Sequence, residues 1–304
     1  MNYREFQKLF PNEERAIKYF IEVRYNGKVT CNHCGSSDKV YKRSESMKTY
    51  SCNSCDNSFS VFKGTIFEKS DTNLVIWFYV INLFLNAKKG ISGYQVQRDT
   101  GVTYKTAWRM LNKIRSAMGN VEDREFFNTI VEMDETYVGG KPRKGNDRAD
   151  KDDDTPPTNK RGRGTNKTPV VGVLDRDNKQ VYSRVAAPNK EGKSLTGKQL
   201  LGILNRVCKS GNIVFTDEFK GYNILNKTNH LHFKIDHTKM FVDGVVHTNN
   251  IESFWATLKR GILGIYHKVS RKYLQDYVNE FCFRYNNRDE NMFDMVLNQA
   301  VVKR

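Results

Sequence analysis

The chain has no hydrophobic run long enough to cross a bilayer. Its most apolar stretch, NLVIWFYVINLFL at 73–85, falls short of the roughly 20 residues a span needs and carries Asn82. A buried helix is expected there, and no membrane partner. The opening MNYREFQKLF interleaves charged with apolar residues and shows no signal-peptide pattern. Acidic residues are also scarce. The 34 Asp+Glu face 50 Lys+Arg, giving a net charge of +16 and a pI near 9.5. So basic a surface attracts polyanions, nucleic acid first. Cysteine is sparse, six in 304 residues, and its placement does not suggest a secreted disulfide scaffold. A reducing cytoplasm is the expected compartment. With 38% apolar and 28% charged residues the composition is that of a folded chain. The length allows two or three domains.

Four of the cysteines form two C-x-x-C knuckles, Cys31/Cys34 and Cys52/Cys55, with 17 residues between them. Four thiolates at this spacing close a tetrahedral site for one structural Zn2+, and Gly35 follows the first knuckle where a tight turn is needed. Little apolar sequence lies between the knuckles, so metal binding would supply the folding energy, of order 10–16 kcal/mol in small zinc modules. His33 is read as a bystander. Cys208 and Cys282 stand alone in helix-like contexts and are read as core.

The domains read from the chain are a helical lead over 1–27, a zinc ribbon over 28–70, a helix-turn-helix-like domain over 71–125 and a larger domain over 126–304. In the lead, Pro11-Asn12 starts a helix carrying Ala16, Ile17, Phe20 and Ile21. In the third domain Asp71 or Thr72 caps the apolar helix, a short helix ends at Gly101, and Thr103 caps a helix bearing Ala107, Met110, Leu111, Ile114 and Met118. Tyr104, Lys105, Arg109, Lys113 and Arg115 on that last helix give it a DNA-binding face, or simply a solvated basic one. Trp108 and Trp255 are read as core. The segment 141–169 is nearly devoid of apolar residues and reads as a flexible charged insertion.

From residue 131 the order is β-β-β-α-β-α-β-α-α, an α/β pattern suggesting a mixed sheet flanked by helices. Its first strand, VEMDETYVGGK, concentrates Glu132, Asp134 and Glu135 in a chain otherwise basic. Asp217 follows the apolar IVF of the fourth strand, and Glu252 lies in the first turn of a later helix with 34 residues intervening. Strands one and four of such a sheet can be neighbours, so Asp134, Asp217 and Glu252 are expected to meet. Hard oxygen ligands suit two Mg2+ or Mn2+ ions, which together run in-line displacement at phosphorus. Each acid also has an innocent reading. Glu132 and Asp134 share a strand face that is simply wet, Asp217 is a helix N-cap before EFKGY, and Asn249-x-x-Glu252 forms a capping box. Lys259, two turns beyond Glu252 on one helix face, reaches a DNA backbone or only solvent.

VEMDETYVGGK, FTDEFKGY, HTNNIESFWATLKRGI and YVNEFCFRYNNR behind a C-x-x-C ribbon together resemble the DDE transposases of a group of bacterial insertion sequences, relatives of the eukaryotic Merlin elements. The resemblance covers nearly the whole chain. It implies an RNase H-like catalytic domain, metal-dependent DNA strand cleavage and strand transfer, and recognition of terminal inverted repeats by the N-terminal region. It places catalytic acids at Asp134, Asp217 and Glu252, with Asn249 the alternative for the third position and Lys259 following. DNA contacts fall to Tyr104, Lys105, Arg109, Lys113, Lys259 and Arg260. Expected partners are element ends, target DNA and a second copy of the chain, in a bacterial cytoplasm at the nucleoid. The rival readings are a zinc-ribbon DNA-binding regulator without catalysis and a stand-alone RNase H-like nuclease.

Overall fold

A computed structural model describes residues 1–119, 127, 130–139, 167–186, 195–235 and 247–302. The chain divides into two compact units, 1–120 with 287–304, and 121–286. Residues 141–166 of the expected charged insertion lie outside the described residues.

In the first unit, α1 (Tyr3–Leu9) and α2 (Glu13–Tyr25) lead into a three-stranded antiparallel sheet of β1 (Val40–Lys42), β2 (Thr49–Cys52) and β3 (Asn57–Ser60). Then come α3 (Leu74–Asn86), α4 (Gly93–Thr100) and α5 (Tyr104–Met118). Asn12, Ser92 and Thr103 cap α2, α4 and α5 by accepting backbone amides, and Gly101 ends α4 in the left-handed conformation. The cap of α3 is Asn73, whose side chain accepts the Val75 amide, one residue past the expected Asp71 or Thr72. An aromatic core of Phe10, Phe20, Phe62, Phe67, Trp77 and Phe78 packs mostly edge to face and takes in Phe293 of α9 (Met292–Val301). The sequence reading runs the last domain to residue 304, but α9 contacts α2, α3 and α5. Trp108 is not core: it is 38% exposed.

The second unit is built on a five-stranded mixed sheet of β4 (Ile130–Val138), β5 (Thr168–Asp175), β6 (Gln180–Val185), β7 (Ile213–Thr216) and β8 (Leu231–Lys234). Their spatial order is β6-β5-β4-β7-β8. The first three strands form an antiparallel meander, and β7 and β8 run parallel to β4. This is the RNase H-like arrangement. Strands one and four are indeed neighbours.

Apolar residues cover both faces of the central strands, and β5 accordingly reads as a nearly continuous apolar run. Val131, Met133, Val171, Val173 and Val214 pack against Leu200, Ile203 and Leu204 of α6 (Gly197–Leu204) and against Tyr222 and Leu225 of a 3-10 helix (Lys220–Lys227). Val138, Val170, Leu174 and Val181 pack against α7 (Asn249–Gly261) and α8 (Arg271–Asn286). Helix α7 offers Ile251, Phe254, Trp255 and Leu258, a stripe at helical spacing. A single turn of π-helix, Ile262–Tyr266, extends it. Among the described residues, no helix is long and apolar enough to cross a membrane.

Candidate active site

The acids of β4 have different fates. Glu132 is fully buried, with no wet face to sit on. Its carboxylate accepts the Asn250 and Ile251 amides at 3.0 Å each, the Asn250 side chain at 2.7 Å and Arg176 Nε at 2.7 Å. His247 Nδ1 lies 3.3 Å away. Burial of a bare carboxylate would be prohibitive, but a guanidinium and the positive end of α7 neutralise this one. Glu132 thus pins the start of α7 to the middle of the sheet. Arg176, in turn, lies over the Phe215 ring at 4.5 Å and donates to the His247 carbonyl. The clamp was missed from sequence, where nothing marks Arg176 or Asn250 as partners of Glu132.

Asp134 lies two residues on, toward the same helix. Strand register explains how Asp217 reaches it. Met133 pairs with Thr216 on the parallel neighbour β7, so Asp217, the next residue, comes level with Asp134. Asp134, Glu135 and Asp217 each offer a carboxylate oxygen, and these three atoms lie within 4.8 Å of one another. Burial first, then the charges of Glu135 and Asp217, push the Asp134 carboxyl up to about 8, against the Glu135 amide that donates to it; Glu252 adds a smaller push. Trp255 of α7 donates its indole N–H to Asp134 Oδ2 at 3.0 Å. Asp217 also accepts the Phe219 amide at 2.9 Å, but it is not the N-cap of the 3-10 helix: that residue is Phe219, which has no side-chain cap. Glu135 accepts the buried Tyr222 hydroxyl at 2.8 Å. Burial, followed by the Glu135, Asp134 and Asp217 charges, raises that phenol well above its ordinary value.

Glu252 does not join the three-oxygen group, although its charge acts on Asp134. It sits exposed in the first turn of α7, where the buried Thr248 hydroxyl donates to it at 2.9 Å. Asn249 opens the helix, exposed, and makes no capping box; the N-cap is Thr248. Lys259 and Arg260 are exposed in the last turn.

Three carboxylates this close, one of them holding its proton to about pH 8, fit a site for divalent cations. A cation among them would replace their mutual repulsion by attraction and reverse the sense of the pKa shift.

In the first unit, Tyr104, Lys105 and Arg109 are exposed on α5, and Tyr104 stacks on Tyr94 of α4 with ring centroids 4.4 Å apart. Lys113 does not share that face. Its ammonium donates to the Ile66 carbonyl at 2.6 Å and the Glu68 carbonyl at 3.3 Å, and the chain before α3 holds it inward.

The four thiols of the ribbon lie within 4.8 Å of one another, a donor set that fits a structural Zn2+. Sulfurs of opposite knuckles approach to 3.7 Å (Cys31–Cys55) and 3.6 Å (Cys34–Cys52). Gly35 (φ +77°) and Asp56 (φ +52°) turn the chain after each knuckle in the left-handed conformation. Burial acts to raise the Cys31 thiol, but hydrogen bonds from the Cys34 and His33 backbone carry it down to about 6. His33 stands aside from the sulfurs, its Nε2 3.0 Å from Lys63 Nζ.

A sheet of this order, with carboxylates gathered beside the end of the strand parallel to β4 and a four-cysteine ribbon ahead of it in sequence, is the architecture expected of a DDE transposase. The chain belongs to the ISXO2-like transposases: that domain family matches residues 127–286, and a transposase zinc-ribbon domain matches residues 11–58. A protein of the transposable element ISH50 from Halobacterium salinarum is 28% identical over 91% of this chain and 92% of its own. A transposase-like protein from Haemophilus influenzae is 30% identical over 40% of this chain and 94% of its own. Among solved structures, a pre-cleavage Mos1 transpososome matches at 12% identity over 72% of this chain and 78% of the other, with a TM-score of 0.29. The Mos1 strand transfer complex matches at 14% over 73% and 78%, with a TM-score of 0.30.

Proposed function

We propose that this transposase cleaves DNA at the ends of its element and joins them to target DNA, with divalent cations held by Asp134, Asp217 and Glu252. The observation that supports the reading is the three-oxygen group at Asp134, Glu135 and Asp217, assembled by register between parallel strands and strained by its own charge. Two ions, Mg2+ or Mn2+, would assist deprotonation of the attacking water or 3′-hydroxyl and stabilise the leaving oxygen. The protein's part is to hold carboxylates in place. Asp134 is fixed by the sheet, Asp217 by the Phe219 amide and Glu252 by Thr248. Lys259 and Arg260, on the helix that carries Glu252, engage the DNA backbone.

In the same reading the ribbon carries one Zn2+, and Tyr104, Lys105 and Arg109 on α5 grip element ends. Phosphate contacts supply most of the affinity, so binding weakens steeply with salt. Two ends must be held together, which calls for a dimer or higher assembly at the bacterial nucleoid.

The test is Asp217→Asn in the full chain. Cleavage of end-containing DNA in Mg2+ should vanish while DNA binding persists. Cleavage at the parental rate by this variant would overturn the assignment. Strand joining by the parent separates a transposase from a nuclease alone.

A further inference from the structure

We propose that Trp255 is a positioning residue for the acidic site, and that Gly172 is the residue that makes room for it. The inference rests on the reading of Asp134 as a cation ligand. Trp255 is 4% exposed and packs in the core between α7 and the sheet. A buried indole N–H needs an acceptor, and the one it meets is Asp134 Oδ2 at 3.0 Å. One carboxylate oxygen is thereby engaged and the plane of the group is fixed, with an Asp134 oxygen within 4.8 Å of oxygens from Glu135 and Asp217.

Gly172 is the cross-strand partner of Asp134 on β5. A Cβ at that position would lie 2.7 Å from Cζ2 and 2.8 Å from Cη2 of the Trp255 ring, and 2.9 Å from Ser183 Oγ. No side chain fits there while the indole is in place. Glycine inside a strand costs stability relative to other residues, and here it opens a slot on the sheet into which the ring lies.

Spacing makes the contact part of a larger register. Glu132 and Asp134, two residues apart on a strand, are separated by about 6.6 Å along it. Ile251 and Trp255, four residues apart on a helix, are separated by about 6 Å. The two acids therefore grip the helix at matching intervals, Glu132 at the Asn250 and Ile251 amides and Asp134 at the Trp255 indole. Glu252 lies between these two grips. The same pair of contacts that orients Asp134 sets where Glu252 stands.

The experiment measures Mn2+ binding by electron paramagnetic resonance on the full chain without DNA. Trp255→Phe keeps an aromatic ring in the slot and removes the donor. Its Mn2+ affinity should fall by about tenfold or more, as for other partners that orient a metal ligand, while its melting temperature stays close to the parent's. If Trp255→Phe does not fold, incorporating benzothienylalanine at position 255, where sulfur replaces the N–H in a ring of the same size, isolates the hydrogen bond with packing intact. Parental Mn2+ affinity in the folded variant, with binding abolished in Asp134→Asn, would overturn the positioning role and leave the site standing. Parental affinity in Asp134→Asn would instead remove the reading on which the proposal rests.

Discussion

The ribbon and the acidic site both crowd like-charged ligands together, but they are assembled by opposite means. Each cysteine pair lies within one tight turn, one before β1 and the other at the turn between β2 and β3, and the four thiols come within 4.8 Å of one another. Asp134 and Asp217 come from different strands, 83 residues apart, and Glu252 comes from a helix beyond them. The first site is a matter of local spacing, the second of topology. The consequence is energetic. A sheet with two apolar faces holds its acids in place without help, whereas the ribbon's few small strands would depend on a bound metal.

That contrast predicts the largest effect. Cys52→Ser should remove most of the metal-coupled folding energy of the ribbon, of order 10 kcal/mol. In hydrogen exchange, amides of β1 to β3 should lose protection, while those of β4, β5 and β7 keep it. Protection retained in β1 to β3 would show the ribbon folding without zinc, and the contrast would fail.

Within the acidic site the question is which carboxylates do chemistry. Glu252→Gln should slow Mg2+-dependent cleavage by more than roughly a hundredfold, beyond the range typical of an outer-shell partner. Glu135→Gln, whose carboxylate is tied to Tyr222, should cost roughly ten- to a hundredfold. Single-turnover cleavage of end-containing DNA measures both. The reverse order would move the third ligand from Glu252 to Glu135.

Legibility in the sequence follows the same divide. The knuckles, the Thr103 cap and the pairing of strands one and four could all be read from local pattern or order. What escaped was decided by distant partners. Glu132 looked like one more acid on a wet face because Arg176 and the start of α7 are remote in sequence. Lys113 looked like part of a basic face because its acceptors are carbonyls, which every residue has. Helix α9 belongs with the first unit through Phe293 packing on Phe10 and Phe78, a contact spanning nearly the whole chain. Trp108, spaced among core residues on α5, faces outward.

Two neighbouring acids then offer a sharper comparison. Glu132→Gln leaves Arg176 without its buried counter-charge and weakens the hold on α7. A loss of about 3 kcal/mol is expected, and a melting temperature lower by about 10 °C. A melt within a degree or so of the parent's would mean that the clamp contributes little.

Asp134→Asn should do the opposite to the metal-free protein. The folded chain holds the Asp134 proton up to about pH 8, whereas an ordinary aspartate releases it near 3.8. Between those values the folded state binds the extra proton, so stability falls as pH rises through the window. The contribution is intact below about pH 4 and lost above about pH 8. Asparagine has no proton to lose. At pH 8, with the ribbon's zinc retained and no other divalent ion added, the variant should therefore melt above the parent, by about 4 °C once solvent screening is allowed for, and at pH 4 the two should nearly coincide. Saturating Mn2+ should reverse the order at pH 8, because the ion stabilises only the chain that binds it. A parent whose metal-free melting temperature is flat across this pH range would show that Asp134 ionises freely in the fold, and the crowding of its neighbours would no longer argue for a cation among them.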